Sequence, residues 1–337
     1  MNYKKITRFI LACSLSVLFL WITFRNVDTA GLWHHLQAMD MTFVLLYCFS
    51  LIVTQVARTL RWNVLIRPFA RISIHELFRI SGLGLLLILL LPFRLGEFAR
   101  PYLLKKSSGA SFSSGIGTIV LERAIDGLTI TILFFICTML VRSVYPVPHV
   151  LHIAAFVALG FFVMVMAVIF ALWFWRGQSH AFLKTLGNFF LPKYTPRILQ
   201  LLESFVDGLH ALNGRYLMAF FFWTVLYWFV NGWGLWTAMR AFGWQLPLLS
   251  GFVVVSVLAI GLMIPSGPAH LGTYQGALSL GLGIFGISAT ESAAYGLVVY
   301  PLNLLFLCGF GLPFVGTGFN LKKVVQESAD LAQQPTP

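Results

Sequence analysis

Hydrophobic positions in this chain come in long runs, without the strict alternation of strands or the regular polar faces of soluble helices. A helix crossing the hydrocarbon core of a bilayer needs about 20 predominantly apolar residues. Six runs meet or approach that length: Arg8–Phe24, Met41–Ala57, Ser111–Val141, Val150–Trp175, Tyr216–Met239 and Ser292–Phe319. The first two rely on their flanks. Two further apolar regions fit no simple span. Ser81–Phe93 holds only 13 uncharged residues, about 20 Å of helix at about 1.5 Å per residue. Leu246–Ile287 is far too long for one crossing and is interrupted by Pro265, Ser266, Gly267, Pro268 and Gly272.

The two awkward regions carry matching interruptions. Pro92-Phe93-Arg94-Leu95-Gly96-Glu97-Phe98 and Pro268-Ala269-His270-Leu271-Gly272-Thr273-Tyr274 both read Pro-x-x-Leu-Gly-x-aromatic. In membrane proteins, matched interruptions in two halves of a chain point to a transport site.

Loop charge decides the path. Arg58, Arg61, Arg67, Arg71 and Arg79 precede the first interrupted region, and Arg94, Arg100, Lys105 and Lys106 follow it. Both flanks are therefore expected in the cytoplasm, and the segment between them enters the membrane and returns. Only Arg240 precedes the second region and Glu291 follows it, so both its ends are expected outside. The expected fold is all-α and polytopic: six full spans plus two re-entrant helical hairpins in an inverted repeat, with eight spans as the alternative. A single integral domain covers 1–320, with repeat halves at 41–141 and 216–319 and a cytoplasmic tail at 321–337. Both termini face the cytoplasm, and the 25–40 and 142–149 loops lie outside. In the long 176–215 loop, Thr195-Pro196 reads as a helix start. The apolar spacing after it predicts an amphipathic helix at 196–213, on the membrane surface or packed on the protein.

Composition agrees with a membrane setting. Of 337 residues, 58% are hydrophobic and 10% charged, against about 25% charged in soluble domains. The net charge of +12 sits in short loops beside apolar runs, as anionic lipid surfaces favour, so a nucleic-acid partner is not expected. Cys13, Cys48, Cys137 and Cys308 lie singly in apolar runs, without metal-ligand spacing. The basic start and first apolar run resemble a signal peptide but read as an uncleaved span. Gly281-Leu282-Gly283-Ile284-Phe285-Gly286 fits a dinucleotide fingerprint but follows no strand, and His34-His35 lacks further ligands. No cofactor is expected.

Charges inside apolar runs are the strongest chemical signal. Glu122, Arg123 and Asp126 lie in Ser111–Val141, where each charge costs about 2.5–3.5 kcal/mol at a span centre. Glu122 and Asp126 share a helix face, and Arg123 can pair with Asp126. They form either a polar cluster facing a cavity, an ion-pair network joining the repeats, or a group at the membrane interface. In the first hairpin, Arg94, Glu97 and Arg100 are spaced for pairing and leave a positive excess beside a helix break. That combination suits a lipid phosphate, or else an interfacial anchor. The second hairpin replaces these charges with the hydrogen-bonding groups of His270, Thr273, Tyr274 and Gln275.

The stretch from Leu91 to Leu104, with its Arg-x-Gly-Glu-x-x-Arg core, the Glu122-Arg123-Ala124-Ile125-Asp126 that follows, and the Pro268-to-Tyr274 stretch together resemble the lysylphosphatidylglycerol synthase transmembrane-domain, or flippase-like, family. The resemblance implies an inner-membrane protein of a bacterium or archaeon that moves lipids or lipid-linked intermediates between leaflets. It points to Arg94, Gly96, Glu97, Arg100, Glu122, Arg123, Asp126, Pro268 and Gly272. Two-domain members append a soluble aminoacyl-transferase domain. This chain stops about 20 residues after its last apolar run, so synthase activity is not expected. Family members often carry an arginine in the last span, where this chain reads Tyr300-Pro301.

The reading that unites these features is a non-enzymatic lipid transporter. Arg94, Gly96, Glu97, Arg100, His270, Gly272, Thr273, Tyr274 and Gln275 would form the head-group site, and Glu122, Arg123 and Asp126 a charge network. The partners are membrane lipids with an anionic or phosphate-bearing head group, and a homodimer is left open. A membrane-embedded transferase using Glu97 or Asp126 as base, and a structural or regulatory subunit, remain as alternatives.

Overall fold

The computed structural model describes residues 29–90, 96–175, 214–263 and 268–315, with isolated positions between 177 and 203. The apolar run 8–24, Arg94, the tail at 321–337 and nearly all of the helix expected at 196–213 lie outside the described residues. Every regular element described is helical. A short helix, α1 (Thr29–Gln37), occupies part of the stretch read as an external loop.

Two segments then repeat one order: a long helix, two short helices around a break, and a second long helix. The first comprises α2 (Met41–Ile66), α3 (Ile74–Leu90), α4 (Ala99–Ser108) and α5 (Phe112–Val141). After α6 (His149–Phe174), the second comprises α7 (Gly214–Ala241), α8 (Leu249–Gly261), α9 (Thr273–Gly283) and α10 (Ala289–Gly311). Among the described residues, five helices are long and apolar enough to cross a membrane: Met41–Ile66, Phe112–Val141, His149–Leu172, Tyr216–Ala241 and Ala289–Phe314. The four short helices have 17, 10, 13 and 11 residues. At about 1.5 Å per residue none spans the roughly 30 Å of hydrocarbon.

Local chemistry sets several boundaries. Asp40 caps α2 by accepting the Thr42 N–H at 2.8 Å. Ser288 and Glu291 cap α10 reciprocally, with Ser288 N–H donating to Glu291 Oε2 at 3.0 Å and Glu291 N–H to Ser288 Oγ at 3.3 Å. Gly109, with φ of 72°, ends α4 in the left-handed conformation. One boundary differs from the sequence expectation. The α2 helix does not stop at Ala57 but continues to Ile66, so Arg58 and Arg61 lie within it and not in a solvated loop. Partners on α5 accept the Arg61 charge, which removes the reason to end the helix there.

The two segments interlock. Helices α2 and α7 run antiparallel: Asp40 N–H donates to Ala241 O at 2.9 Å at one end, and the Arg61 guanidinium lies 5.7 Å from the Phe220 ring centre near the other. Helix α3 packs on α10, and α8 on α5, so each segment lays a short helix against the other's last long helix. The α3–α10 crossing is close because both sides are glycine. A Cβ added at Gly311 would sit 2.6 Å from Gly82 O, the kind of approach small residues permit between membrane helices. One apolar core gathers around Phe134, Leu235, Val253, Leu278 and Tyr295, and a second around Trp62, Leu65, Leu83, Leu103 and Phe220.

Candidate functional site

The polar face of α2 builds the site. Ser50, Thr54, Arg58 and Arg61 recur three or four residues apart and so stack along one side of the helix. Arg61, fully buried, crosses to α5 and ties both acidic residues there. Its Nη1 donates to Asp126 Oδ1 at 2.5 Å, and its Nη2 to Glu122 Oε1 at 2.7 Å and Asp126 Oδ2 at 2.9 Å. Arg100, from α4, donates to the other Glu122 oxygen at 3.0 Å while lying over the Trp62 ring at 5.0 Å. Arg123 reaches Glu122 and Asp126, each at 3.0 Å. Trp228 of α7 donates its indole N–H to Asp126 Oδ1 at 3.1 Å. Residues from four helices therefore meet at two carboxylates.

Burying an isolated charge costs several kcal/mol, and the cost is recovered only when partners satisfy it. Three guanidiniums around two carboxylates satisfy the acids and leave one positive charge in excess. Arg61 and Arg100 are enclosed, whereas the Arg123 side chain retains 29% of its exposure. That exposed part faces a cavity of about 400 Å³, a size typical of small-ligand sites.

The cavity brings together what the chain separates. From the first short-helix pair come Leu85, Ile88, Leu89 and Glu97; from the second come Met263, Ala269, His270 and Tyr274. Arg58, Arg123 and Asp126 line the wall together with Tyr47, Gln55, Asn231, Tyr300 and Asn303. Arg58 is half-buried there and forms no ion pair with a described residue.

The remaining expected residues take varied positions. Gly96 is needed for backbone approach, since a Cβ there would collide with the main chain of Leu87 and Ile88. Glu97 faces the cavity. Arg100 does not; it belongs to the buried ion-pair network. In the second break, Ala269, His270 and Gly272 have φ of 57°, 58° and 83°, a left-handed run that non-glycine residues rarely adopt. Three hydrogen bonds hold it: Tyr300 O–H donates to Ala269 O at 2.8 Å, Thr273 O–H to His270 O at 3.0 Å, and Gly272 N–H to the Gln275 side-chain oxygen at 2.8 Å. His270 and Tyr274 line the cavity, whereas Gly272, Thr273 and Gln275 shape the turn behind it.

Tyr300 supports this turn and packs at a tilt against Tyr274, with ring centres 4.9 Å apart. Arg61, Arg100 and Arg123 provide the cationic partners of Glu122. Sequence reasoning assigned Arg58 and Arg61 to a basic loop and did not single out Gln55, Trp228 or Asn303. The signal was the polar stripe Ser50–Thr54–Arg58–Arg61, which keeps the helical period past Ala57.

The sequence profile of the lysylphosphatidylglycerol synthase TM region matches residues 9–311. A curated UPF0104 membrane protein of Methanocaldococcus jannaschii is 28% identical over 220 residues, covering 64% of this chain and 87% of that protein. No solved structure matches.

Proposed function

The chain belongs to the lysylphosphatidylglycerol synthase TM-region family, multi-pass membrane proteins with a lipid-related role, and from that premise we propose that it is a lipid transporter. It moves a phospholipid or lipid-linked intermediate between leaflets of the cytoplasmic membrane. The head group occupies the cavity between the two short-helix pairs while the acyl chains stay in the bilayer. The two pairs act as re-entrant hairpins of an inverted repeat, opening from opposite sides, with the termini in the cytoplasm.

One observation carries this reading. The cavity touches both breaks and presents Arg58 and the exposed part of Arg123, cationic groups whose charge the neighbouring acids do not fully neutralise. Arginine matches phosphate geometry and remains charged when buried. Arg58 and Arg123 hold the phosphate, and Arg61, Glu122, Asp126 and Arg100 position Arg123 and the surrounding helices.

The ion-pair geometry favours transport over catalysis by the α5 acids. Glu122 and Asp126 each accept from several donors, so neither is poised to take a proton from a substrate. The decisive measurement is lipid exchange between leaflets of liposomes carrying purified protein. Movement of phosphate-bearing lipids that Arg58→Gln slows at least tenfold supports the reading. Folded protein that moves no phospholipid or glycolipid overturns it, and turnover of a lipid phosphate in detergent, where no leaflets exist, would indicate a transferase.

A further inference from the structure

A second cavity, of about 800 Å³, opens where α2 ends and α3 and α7 begin. It shares no lining residue with the cavity between the short-helix pairs. Side chains advance about 100° per residue around a helix, so Leu60, Val64 and Arg67 leave α2 on the side opposite Thr54 and Arg58. The two cavities therefore lie on opposite faces of one helix.

The charge in this second cavity has one sign. Arg67 and Arg71 line it, and no aspartate or glutamate does. Both arginines are exposed, and neither forms an ion pair with a described residue. Glu76, the acidic residue nearest to them in sequence, is already taken: Arg79 Nε donates to it at 2.7 Å, and the Ser107 hydroxyl also donates to it. Asn63, half-buried on the same wall, adds an amide that can donate.

The rest of the wall fits a membrane boundary. Helix α2 has 26 residues, about 39 Å at about 1.5 Å each, which exceeds the roughly 30 Å of hydrocarbon and places Arg67 and Arg71 at its polar edge. Tyr216 and Trp223 flank the arginines, and such rings favour the head-group level. Val64, Ile72 and Leu77 supply an apolar side. A phosphate matches the guanidinium forks, and an acyl or glycerol stem matches the apolar side.

We infer that this cavity is a second anion site, built by Arg67, Arg71 and Asn63 to hold a phosphate group at the membrane boundary, separate from the central cavity. An anionic lipid of the adjoining leaflet supplies the phosphate.

The test uses detergent-purified full chain carrying Arg58→Gln, which removes the central phosphate ligand. Thermal unfolding is followed against short-chain phosphatidylglycerol, short-chain diacylglycerol and inorganic phosphate. Phosphatidylglycerol should raise the midpoint, and diacylglycerol should not. Adding Arg67→Gln and Arg71→Gln should move the half-maximal phosphatidylglycerol concentration up by about tenfold or more, the loss expected for a charge-assisted hydrogen bond. Protection by inorganic phosphate alone, abolished by the same two substitutions, would support the phosphate site with a soluble anion as its source. Equal protection by diacylglycerol would overturn the site in favour of a cavity for chains only. Undiminished protection in the folded triple variant, or none before Arg67 and Arg71 are changed, would leave both arginines as interfacial anchors and overturn it too. Lipid exchange enters none of these readings, so transport and this site can fail separately.

Discussion

The two short-helix pairs contribute to one cavity but are held by different chemistry. The first is anchored by charge: Arg100 of α4 is tied to Glu122 of α5, which also binds Arg61 of α2. The second carries no Asp, Glu, Lys or Arg between Leu249 and Gly283 and is held by hydrogen bonds to a left-handed turn at Ala269–His270. Breaking a buried ion pair exposes uncompensated charge, so the first pair has few alternative arrangements of similar energy. A turn that stores backbone strain and is held by neutral hydrogen bonds has a lower barrier to rearrangement. The difference suggests a division of labour, with a fixed charged wall and a movable neutral one.

The largest expected effect tests the fixed wall. Glu122→Gln removes the carboxylate that pairs with the buried Arg100 and leaves Arg61 and Arg123 with Asp126, and removing one partner of a buried charge pair costs about 3–5 kcal/mol. Thermal unfolding in detergent should show a pronounced loss of stability or of folded yield. Wild-type stability in this variant would mean that the ion pairs do not anchor α4 and α5. Arg61→Met should be milder than Arg61→Ala, because a similar apolar volume remains beside Phe220 and Tyr227.

Arg58→Gln separates function from that scaffold. Arg58 makes no ion pair with a described residue, so its removal should leave unfolding nearly unchanged. A charge-assisted hydrogen bond contributes about 1.5–3 kcal/mol, which corresponds to a roughly ten- to hundredfold loss of lipid flux or affinity. A stability loss comparable to that of Glu122→Gln would place Arg58 in the scaffold instead.

The contrast between the walls was only partly readable from the chain. The breaks at 91–98 and 264–272 were legible because proline and glycine interrupt apolar runs, and Glu122, Arg123 and Asp126 stood out because charge is costly there. The second wall's neutrality was also visible in His270, Thr273 and Gln275. Arg58 and Arg61 were not, because arginines at the end of an apolar run look the same whether they enter a loop or continue the helix. Only the position of α5 against α2 decides, and that contact joins residues about 60 positions apart. The partner of Arg100 was hidden for a related reason: its spacing from Glu97 suggests a local pair, whereas the structure pairs it with Glu122, 22 positions away.

Two smaller changes probe the movable wall. Tyr300→Phe removes the hydroxyl that donates to Ala269 O and leaves that carbonyl without its partner, a loss of about 1 kcal/mol. Differential unfolding of wild type and variant measures it, and an unchanged midpoint would show that this bond does not hold the turn.

Ala269→Gly should act in the opposite direction and is the smallest effect. A left-handed conformation costs an L-residue about 1–2 kcal/mol, which glycine avoids. Glycine also gives the unfolded chain more freedom, worth about 0.4–1 kcal/mol against the fold. The difference leaves a gain of roughly half to one kcal/mol, small but measurable. Its value lies in the flux that accompanies it. If strain at Ala269–His270 drives the turn toward a second arrangement, the more stable variant should transport more slowly although it touches neither Arg58 nor Arg123. Higher stability with unchanged flux would make the left-handed turn a matter of shape alone. The movable wall would then have to be sought in the packing of α8 and α9, where Gly261 lies against Ala277 closely enough that a Cβ there would meet the alanine methyl at 2.5 Å.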